Sequence, residues 1–546
     1  MASSLDISPI TAQLLINRGI EDEMQAHHFL YGDFGSCHDP FLLKGIQKSI
    51  DRVNQAIKNK ENILIYGDYD VDGITSVALL NIVLTHLGAK TSTYIPNRLE
   101  EGYGLNADAI KKARQKKISL IITVDCGISA HKEIEFARRL GIDTIITDHH
   151  EIKKDDLPFA FSIINPLQKG CYYPFKQLSG VGIAYKFAQA LLKETSYPIE
   201  THLDLVALGT ISDLSVQKGE NRILTKCGLN MINRTENEGI KALIEVAGLK
   251  SKTISCMHVG YILGPRINAM GRVGSPDIAL QLLLTKDKEE ALNLARTLHQ
   301  ENRNRQKIEA RVLNEALDKI EREINFKDSK VIVLSGDDWH LGVIGIVASR
   351  IIDKFYRPTI VIGLNGKIGK GSGRSIDNFH LFNAINLCSK HLIDFGGHES
   401  ACGLVINKKD INKFTSEINL VAKKTIADED LYPTIDIDAE VTLSDLTEKF
   451  LAELELLAPF GPENPKPVFF SGGAYLKNDP RRISKNGFKM WVSDDKATCE
   501  AISFRGSNNS MPFRGAKVGL VYSPSINIWQ GLSSVQLDLK DFKMEL

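Results

Sequence analysis

The stretch NILIYGDYDVDG (residues 62–73) joins a continuous apolar run to three acids, Asp68, Asp70 and Asp72, spaced two residues apart. ILIYG (63–67) does not alternate between apolar and polar residues, so it reads as a strand buried on both faces. The acids follow at its carboxyl end, where open α/β sheets bind ligands. Outward from there, a helix ends near Gly88, TSTYI (91–95) is a second strand, LIITVD (120–125) a third and DTIITD (143–148) a fourth, with helical segments between. This alternation predicts a parallel, doubly wound α/β sheet. The third strand ends at Asp125 and the fourth at Asp148, His149 and His150, so the ligand-binding rim is acidic. A dinucleotide fold needs a glycine-rich turn after its first strand, and carboxylates there would repel pyrophosphate.

Carboxylates that converge on one rim repel each other unless cations sit between them. Oxygen ligands with one or two imidazoles suit Mn²⁺ or Mg²⁺ rather than a thiolate zinc site. Two such ions, about 3.5–4 Å apart, clamp the attacking and leaving oxygens of a phosphoester and lower the pKa of a bound water. A single loop Asp is ordinarily a turn or helix cap, but acids at three strand ends beside a His pair need a further explanation.

The rest of the chain frames this unit. Its 546 residues predict about three or four domains. With 43% hydrophobic and 25% charged residues it has the composition of a packed chain. Because 67 Lys and Arg balance 67 Asp and Glu, any surface for nucleic acid must be local. The eight cysteines form no Cys-x-x-Cys pair, which fits a reducing cytoplasm. MASSLDISPI is no signal peptide, and no apolar run approaches the ~20 residues of a membrane span, so we expect a cytoplasmic protein away from membranes.

Between Pro276 and Gly336 there is neither Gly nor Pro, and Asp287 followed by Glu290 predicts a capped helix start. About 38 residues at ~1.5 Å each span roughly 57 Å, enough to link two domains. A second α/β unit follows, with VIVLSG (331–336) and TIVIG (359–363) as strands and glycine-rich turns expected at 369–373 and 396–397. No Gly-Lys-Ser/Thr completes a phosphate loop there, so ATP use is not indicated. Beyond about residue 433, PVFFSGG, FKMWVS and VGLVYS predict a small β-barrel. The expected division is an N-terminal segment 1–45, a catalytic domain 46–276, a long connecting helix 277–326, a second α/β domain 327–430 and a barrel 431–546.

GDYDVDG, VDCG and DHH resemble the first motifs of the DHH phosphoesterase superfamily. The resemblance is closer to the RecJ family of single-stranded-DNA exonucleases. It continues through YIPNRLEEGYG (94–104), LVALGTISDL (205–214), GENR (219–222), GPRINAMGRVGSP (264–276), GVIGIVASRI (342–351), GSGRS (371–375) and FGGHESACG (395–403). It implies a DHH and a DHHA1-like domain joined by the long helix, with the C-terminal barrel an OB-fold that binds nucleic acid. It implies two Mn²⁺ or Mg²⁺ ions with Asp125 bridging, Asp70 on one side, and Asp72, His149 and Asp213 completing the set. Asp68 would be a nearby ligand or water-orienting acid, and His150 would face the scissile phosphate.

By the same resemblance Arg98, Ser372 and Arg374 form a pocket for a 5′ phosphate. Arg266, Asn268 and Arg272 offer donors to phosphate oxygens, and His340 and His398 would contact the backbone. Val71 and Cys402 stand where the family more often has Ala, and neither removes a ligand. In the barrel, Lys477, Arg481, Arg482, Lys485, Phe488, Lys489 and Trp491 combine charge with aromatic rings, as strand binding needs. The implied activity is metal-dependent 5′-to-3′ hydrolysis of single-stranded DNA to 5′ mononucleotides, in recombination and repair. The implied enzyme is a monomer, with a single-stranded-DNA-binding protein and a RecQ-type helicase as partners. A phosphodiesterase for short oligonucleotides or cyclic dinucleotides lacks the long helix and barrel, and a noncatalytic scaffold would have lost the ligands that are all in place here.

Overall fold

A computed structural model describes residues 1–97, 101–102, 104–152, 156–484, 487–504, 511–529 and 532–545. Three sheets carry the fold. The first comprises β1 (Asn62–Gly67), β2 (Lys90–Tyr94), β3 (Ile118–Val124), β4 (Asp143–Thr147) and β5 (Ser162–Ile164), all parallel, in the order β2-β1-β3-β4-β5. Helices cover both faces, which is why the strands are continuously apolar. Ile63, Ile65, Leu120 and Ile122 pack on one side, and Leu64, Tyr66, Ile121 and Ile146 on the other. The chain leaves β1 toward β2 on one side and reaches β3 on the other, so the crevice opens between β1 and β3, at the acids.

The helix Lys288–Glu323, 36 residues long, starts where Asp287 accepts a hydrogen bond from the Glu290 N–H. Ala291, Ala295 and Leu298 near its start belong to the core of the first unit, and Val312, Ala316 and Ile320 to that of the second. The connecting helix is therefore a structural beam shared by both cores.

The second sheet comprises β6 (Ile332–Asp337), β7 (Thr359–Asn365), β8 (Ile368–Arg374), β9 (Leu392–Gly397) and β10 (Ala401–Asn407), in the order β6-β7-β8-β10-β9. Only β6 and β7 are parallel. The glycine-rich segments expected as turns are strands instead. Gly369, Gly371 and Gly373 alternate along β8 on its buried face, where an added Cβ would come within 2.6 Å of Ile362, 2.8 Å of Leu404 and 2.8 Å of Leu381. Their neighbours supply the apolar bulk, so composition misleads there about conformation.

The third sheet comprises β11 (Ala439–Glu440), β12 (Phe469–Leu476), β13 (Arg481–Arg482), β14 (Phe488–Ser493), β15 (Thr498–Ser503), β16 (Lys517–Trp529) and β17 (Leu532–Met544). It runs β12-β16-β17-β15-β14, and β14 also pairs with β12 through Tyr475–Ser493 and Leu476–Val492, bringing five strands round into a ring. Its core takes in Leu14, Leu15, Ala26 and Leu30 from the N-terminal helices Pro9–Asn17 and Glu23–Tyr31. The two ends of the chain thus share one hydrophobic core. Arg222 staples this unit to the first: its guanidinium donates to the carbonyls of Phe29, Leu456 and Leu457 and lies 3.9 Å from the Phe29 ring centroid.

Candidate metal centre

Seven side chains converge at the carboxyl ends of β1, β3 and β4. Asp68, Asp70 and Asp125 form one group, Asp72, His149 and Asp213 a second, and Asp125, His149 and His150 a third. Within each group one ligand atom per residue lies within 4.8 Å of the others. The sharing of Asp125 and His149 makes these one continuous cluster. Asp70 sits where β1 meets the helix Val71–His86, its Oδ1 accepting the Gly73 N–H at 3.1 Å. Asp213 ends the helix Leu203–Ser212 and accepts from the Ser215 hydroxyl at 2.6 Å.

Asp125 follows β3 in a left-handed conformation, φ 57°, that few residues other than glycine adopt. Its Oδ1 lies 3.1 Å from His149 Nε2, and both atoms are buried with no hydrogen-bond partner among the described residues. Burial, the first cause, and the mutual repulsion of the acids push the Asp72 and Asp125 carboxyls well above the usual range; Asp70 is also raised, by burial and Asp213. Burial and the neighbouring His150 lower the His149 pKa, favouring the neutral imidazole that can ligate. A cluster of oxygens and one imidazole in which Asp125 Oδ1 and His149 Nε2 are buried without a hydrogen-bond partner among the described residues suits a hard divalent cation.

His150 behaves differently. Burial works to lower its pKa, but the hydrogen bond to Asp148 and the charges of Asp148, Asp213 and Asp68 raise it to about 9. Asp148, 1% exposed, accepts from His150 Nδ1 at 2.7 Å, from the His150 N–H at 3.1 Å and from the Ile128 N–H at 2.9 Å. It is a holder for His150, a role that the sequence pattern had not distinguished from the other strand-end acids.

His149 and His150 line a cleft of about 730 Å³ together with His398, Ile128, Ser129 and Leu105. A second cavity of about 420 Å³ is lined by Arg272, Gly345, Ser372 and Arg374. There Ser372 and Arg374 occupy the face of β8 opposite its glycines, and Arg374 Nη1 donates to Ser372 Oγ at 3.1 Å. Arg272 Nη1 reaches the Gly342 carbonyl of the second unit at 3.0 Å. The helix Gly264–Val273 brings Arg272 to this cavity and Asn268 to the acid loop, where Asn268 Oδ1 accepts the Val71 N–H at 3.2 Å.

Arg266 is engaged with His299 of the long helix, and His340 caps the helix Leu341–Phe355 by accepting the Gly342 N–H. Arg98 and Lys485 lie outside the described residues. In the third unit Phe488 is core, and Lys489 pairs with Glu500. Trp491 is 41% exposed, Arg481 and Arg482 are exposed, and Lys477 lies 4.9 Å from the Tyr475 ring centroid.

Sequence reading missed the helix Gly180–Leu191. Asp72 Oδ2 accepts from the Gly180 N–H at 2.7 Å and Oδ1 from the Val181 N–H at 2.8 Å. The only local signal was Ser179, a helix-starting residue ahead of Gly180 and Gly182, which carries no hint that the next two N–H groups reach an acid 108 and 109 positions away.

A switch-point acid cluster facing a second α/β unit defines a DHH-type phosphoesterase. Residues 62–210 match the DHH family, N-terminal domain, residues 328–424 the DHHA1 domain, and residues 437–541 the RecJ OB domain. The chain is 40% identical to the single-stranded-DNA-specific exonuclease RecJ of Bacillus subtilis (strain 168), over 99% of this chain and 69% of that relative. It is 32% identical to the Escherichia coli (strain K12) exonuclease of the same name, over 97% and 95%. The crystal structure of RecJ in complex with Mn²⁺ from Thermus thermophilus superposes with a TM-score of 0.84 at 27% identity, covering 99% of this chain and 77% of that one. A second structure of that RecJ contains Mg²⁺. The chain belongs to the RecJ family of single-stranded-DNA-specific exonucleases.

Proposed function

We propose that this chain removes 5′ mononucleotides from the 5′ end of single-stranded DNA by metal-dependent hydrolysis. The observation that carries the reading is a buried acid–imidazole cluster on a cleft that His398 of the second unit also lines, together with an arginine-lined cavity bordered by the same two units. Asp68, Asp70 and Asp125 would hold one Mn²⁺ or Mg²⁺, and Asp72, His149 and Asp213 the other, with Asp125 shared. When bound, such a pair supplies an activated water and Lewis acidity for phosphodiester hydrolysis.

The protein's own groups do the rest. His150, oriented by its 2.7 Å hydrogen bond to Asp148, offers a donor to the scissile phosphate. Arg272, Ser372 and Arg374, joined by Arg98, grip the terminal 5′ phosphate with fork-like and hydroxyl donors. Asn268, Arg266, His340 and His398 border the strand's path as further phosphate contacts. Breaking the P–O3′ bond leaves a fresh 5′ phosphate on the shortened strand, so each cut regenerates the group that anchors the next.

The working division is the DHH catalytic domain 46–276, the DHHA1-like domain 327–430 that holds the 5′ end, the helix 277–326 that spaces them, and the barrel 431–546 that guides the strand, with segment 1–45 packing its helices Pro9–Asn17 and Glu23–Tyr31 on the barrel and Phe34, Phe41 and Leu43 on the catalytic domain. Exposed Trp491, Arg481, Arg482 and Lys477 support the last role. All eight cysteines are unpaired and no helix among the described residues is long and apolar enough to cross a membrane, which supports a cytoplasmic enzyme. A monomer working beside a single-stranded-DNA-binding protein and a RecQ-type helicase completes the reading.

Digestion of a long, 5′-labelled, 5′-phosphorylated single strand with Mn²⁺ or with EDTA tests it. Release of labelled mononucleotide in Mn²⁺ alone is the expected result. Cleavage confined to very short oligomers would replace the reading by a small-substrate phosphodiesterase, and tight strand binding without cleavage by a scaffold.

A further inference from the structure

We propose that residues 179–181, at the start of the helix Gly180–Leu191, are positioning residues that hold Asp72 and Asp125 in metal-binding geometry. The inference rests on the metal reading of the cluster and adds residues that contact neither metal nor DNA.

Asp72 is wholly buried, and its two oxygens take one N–H each, from Gly180 and Val181. Two donors on successive residues fix the plane of the carboxylate, and the helix N-terminus supplies partial positive charge to an acid surrounded by other acids. One Asp72 oxygen still lies within 4.8 Å of ligand atoms of Asp213 and His149. Gly180 also packs directly on Asp125: a Cβ there would fall 2.7 Å from Oδ1 and 2.8 Å from both Cβ and Cγ. Any side chain at 180 must push Asp125 aside, and Asp125 has little freedom to move, since its backbone is left-handed. Its Oδ1 is buried and accepts no hydrogen bond among the described residues, so the packing aims this oxygen without consuming it.

The device is itself anchored. Ser179 Oγ accepts the Gly182 N–H at 3.1 Å and lies 2.7 Å from Thr210 Oγ1, on the helix that ends at Asp213. The Ser179 N–H donates to Asn221 Oδ1 at 3.3 Å, which gives the GENR stretch a structural purpose. At 209 a Cβ would meet Thr75 Oγ1 at 2.4 Å and Asp72 Oδ1 at 3.0 Å, so the Asp213 helix packs flush against the same acid. One helix start thereby sets three acids brought from distant parts of the chain. Outer partners of this kind typically change metal affinity about 10- to 100-fold when altered.

The test is Mn²⁺ titration of the full-length, metal-stripped protein by calorimetry, for the wild type, Gly180→Ala and Val181→Pro, with far-UV circular dichroism of each metal-free sample. Val181→Pro deletes one donor to Asp72 and sets its ring against the oxygen that accepts that N–H at 2.8 Å, so the carboxylate must turn away, while proline in a helix's first turn is otherwise compatible with the fold, as Pro265 shows after Gly264. Both variants are expected to keep the wild-type spectrum, bind Mn²⁺ about 10- to 100-fold more weakly, and recover part of their lost kcat as Mn²⁺ is raised. Should Gly180→Ala not fold, Val181→Pro decides alone. Wild-type protein that binds no Mn²⁺ would remove the metal reading beneath the proposal. Wild-type binding with unchanged affinity in the folded variants would overturn the proposal and leave that reading intact.

Discussion

The two α/β units face the same cleft with opposite constructions. In the first, acids and imidazoles from four separate segments crowd together, with Asp70 and Asp72 held by backbone N–H groups and Asp72 wholly inaccessible. In the second, a single strand presents Ser372 and Arg374 on one face because glycines on the other let the sheet pack tightly. Concentrating like charge requires burial and many fixed dipoles, because each acid raises the cost of ionising the next. Recognising a mobile phosphate requires exposed donors in a roomy cavity. Chemistry and end recognition are therefore divided between units, and the shared helix Lys288–Glu323 sets their spacing.

Breaking the first construction has the largest expected effect. Asp125→Ala removes the acid common to two of the three groups, and kcat should fall by at least about 10³-fold, or ~4 kcal/mol, in single-turnover digestion. A loss below tenfold would contradict its central place. Asp148→Asn leaves every proposed ligand in place but weakens the hold on His150. We expect kcat to drop about 10²-fold while Mn²⁺ affinity measured by titration stays near wild type. Equal losses in both would mean that Asp148 supports the metals instead.

Arg374→Ala attacks the second construction. It should cost about 10- to 100-fold in kcat/KM on 5′-phosphorylated strands, with little change on 5′-hydroxyl strands, as judged by paired time courses. Loss of the same size on both substrates would refute end recognition. Arg222→Ala leaves both constructions alone and unfastens the third unit; it should lower the free energy of unfolding by about 2–3 kcal/mol in urea titrations while cleavage of short oligomers persists.

Much of the catalytic rim was legible in residue order. Asp68, Asp70, Asp72, Asp125, His149 and His150 follow strands whose apolar runs identify them, and chain direction alone puts those ends on one side of a parallel sheet. The second unit was harder to read: β8 has the composition of a turn, and only Ile362, Leu404 and Leu381 packed over its glycines make it a strand. Phe488 and Trp491 belong to one strand of suggestive composition, yet one is core and the other faces outward, a distinction set by the pleat.

The parallel sheet, the acidic strand ends and the capped start of the long helix follow from residue order, because each arises from neighbours a few positions apart: alternation, apolar runs, one side chain on one N–H. Packing set how the acids meet, with Asp213, which family resemblance had named, joining them from the end of a buried helix; it alone showed that Gly180 and Val181 grip Asp72, that Asp148 holds His150, and that the N-terminal helices share a core with the barrel. Most of those contacts join segments tens to hundreds of residues apart and depend on how whole elements pack, a geometry on which local periodicity places no constraint.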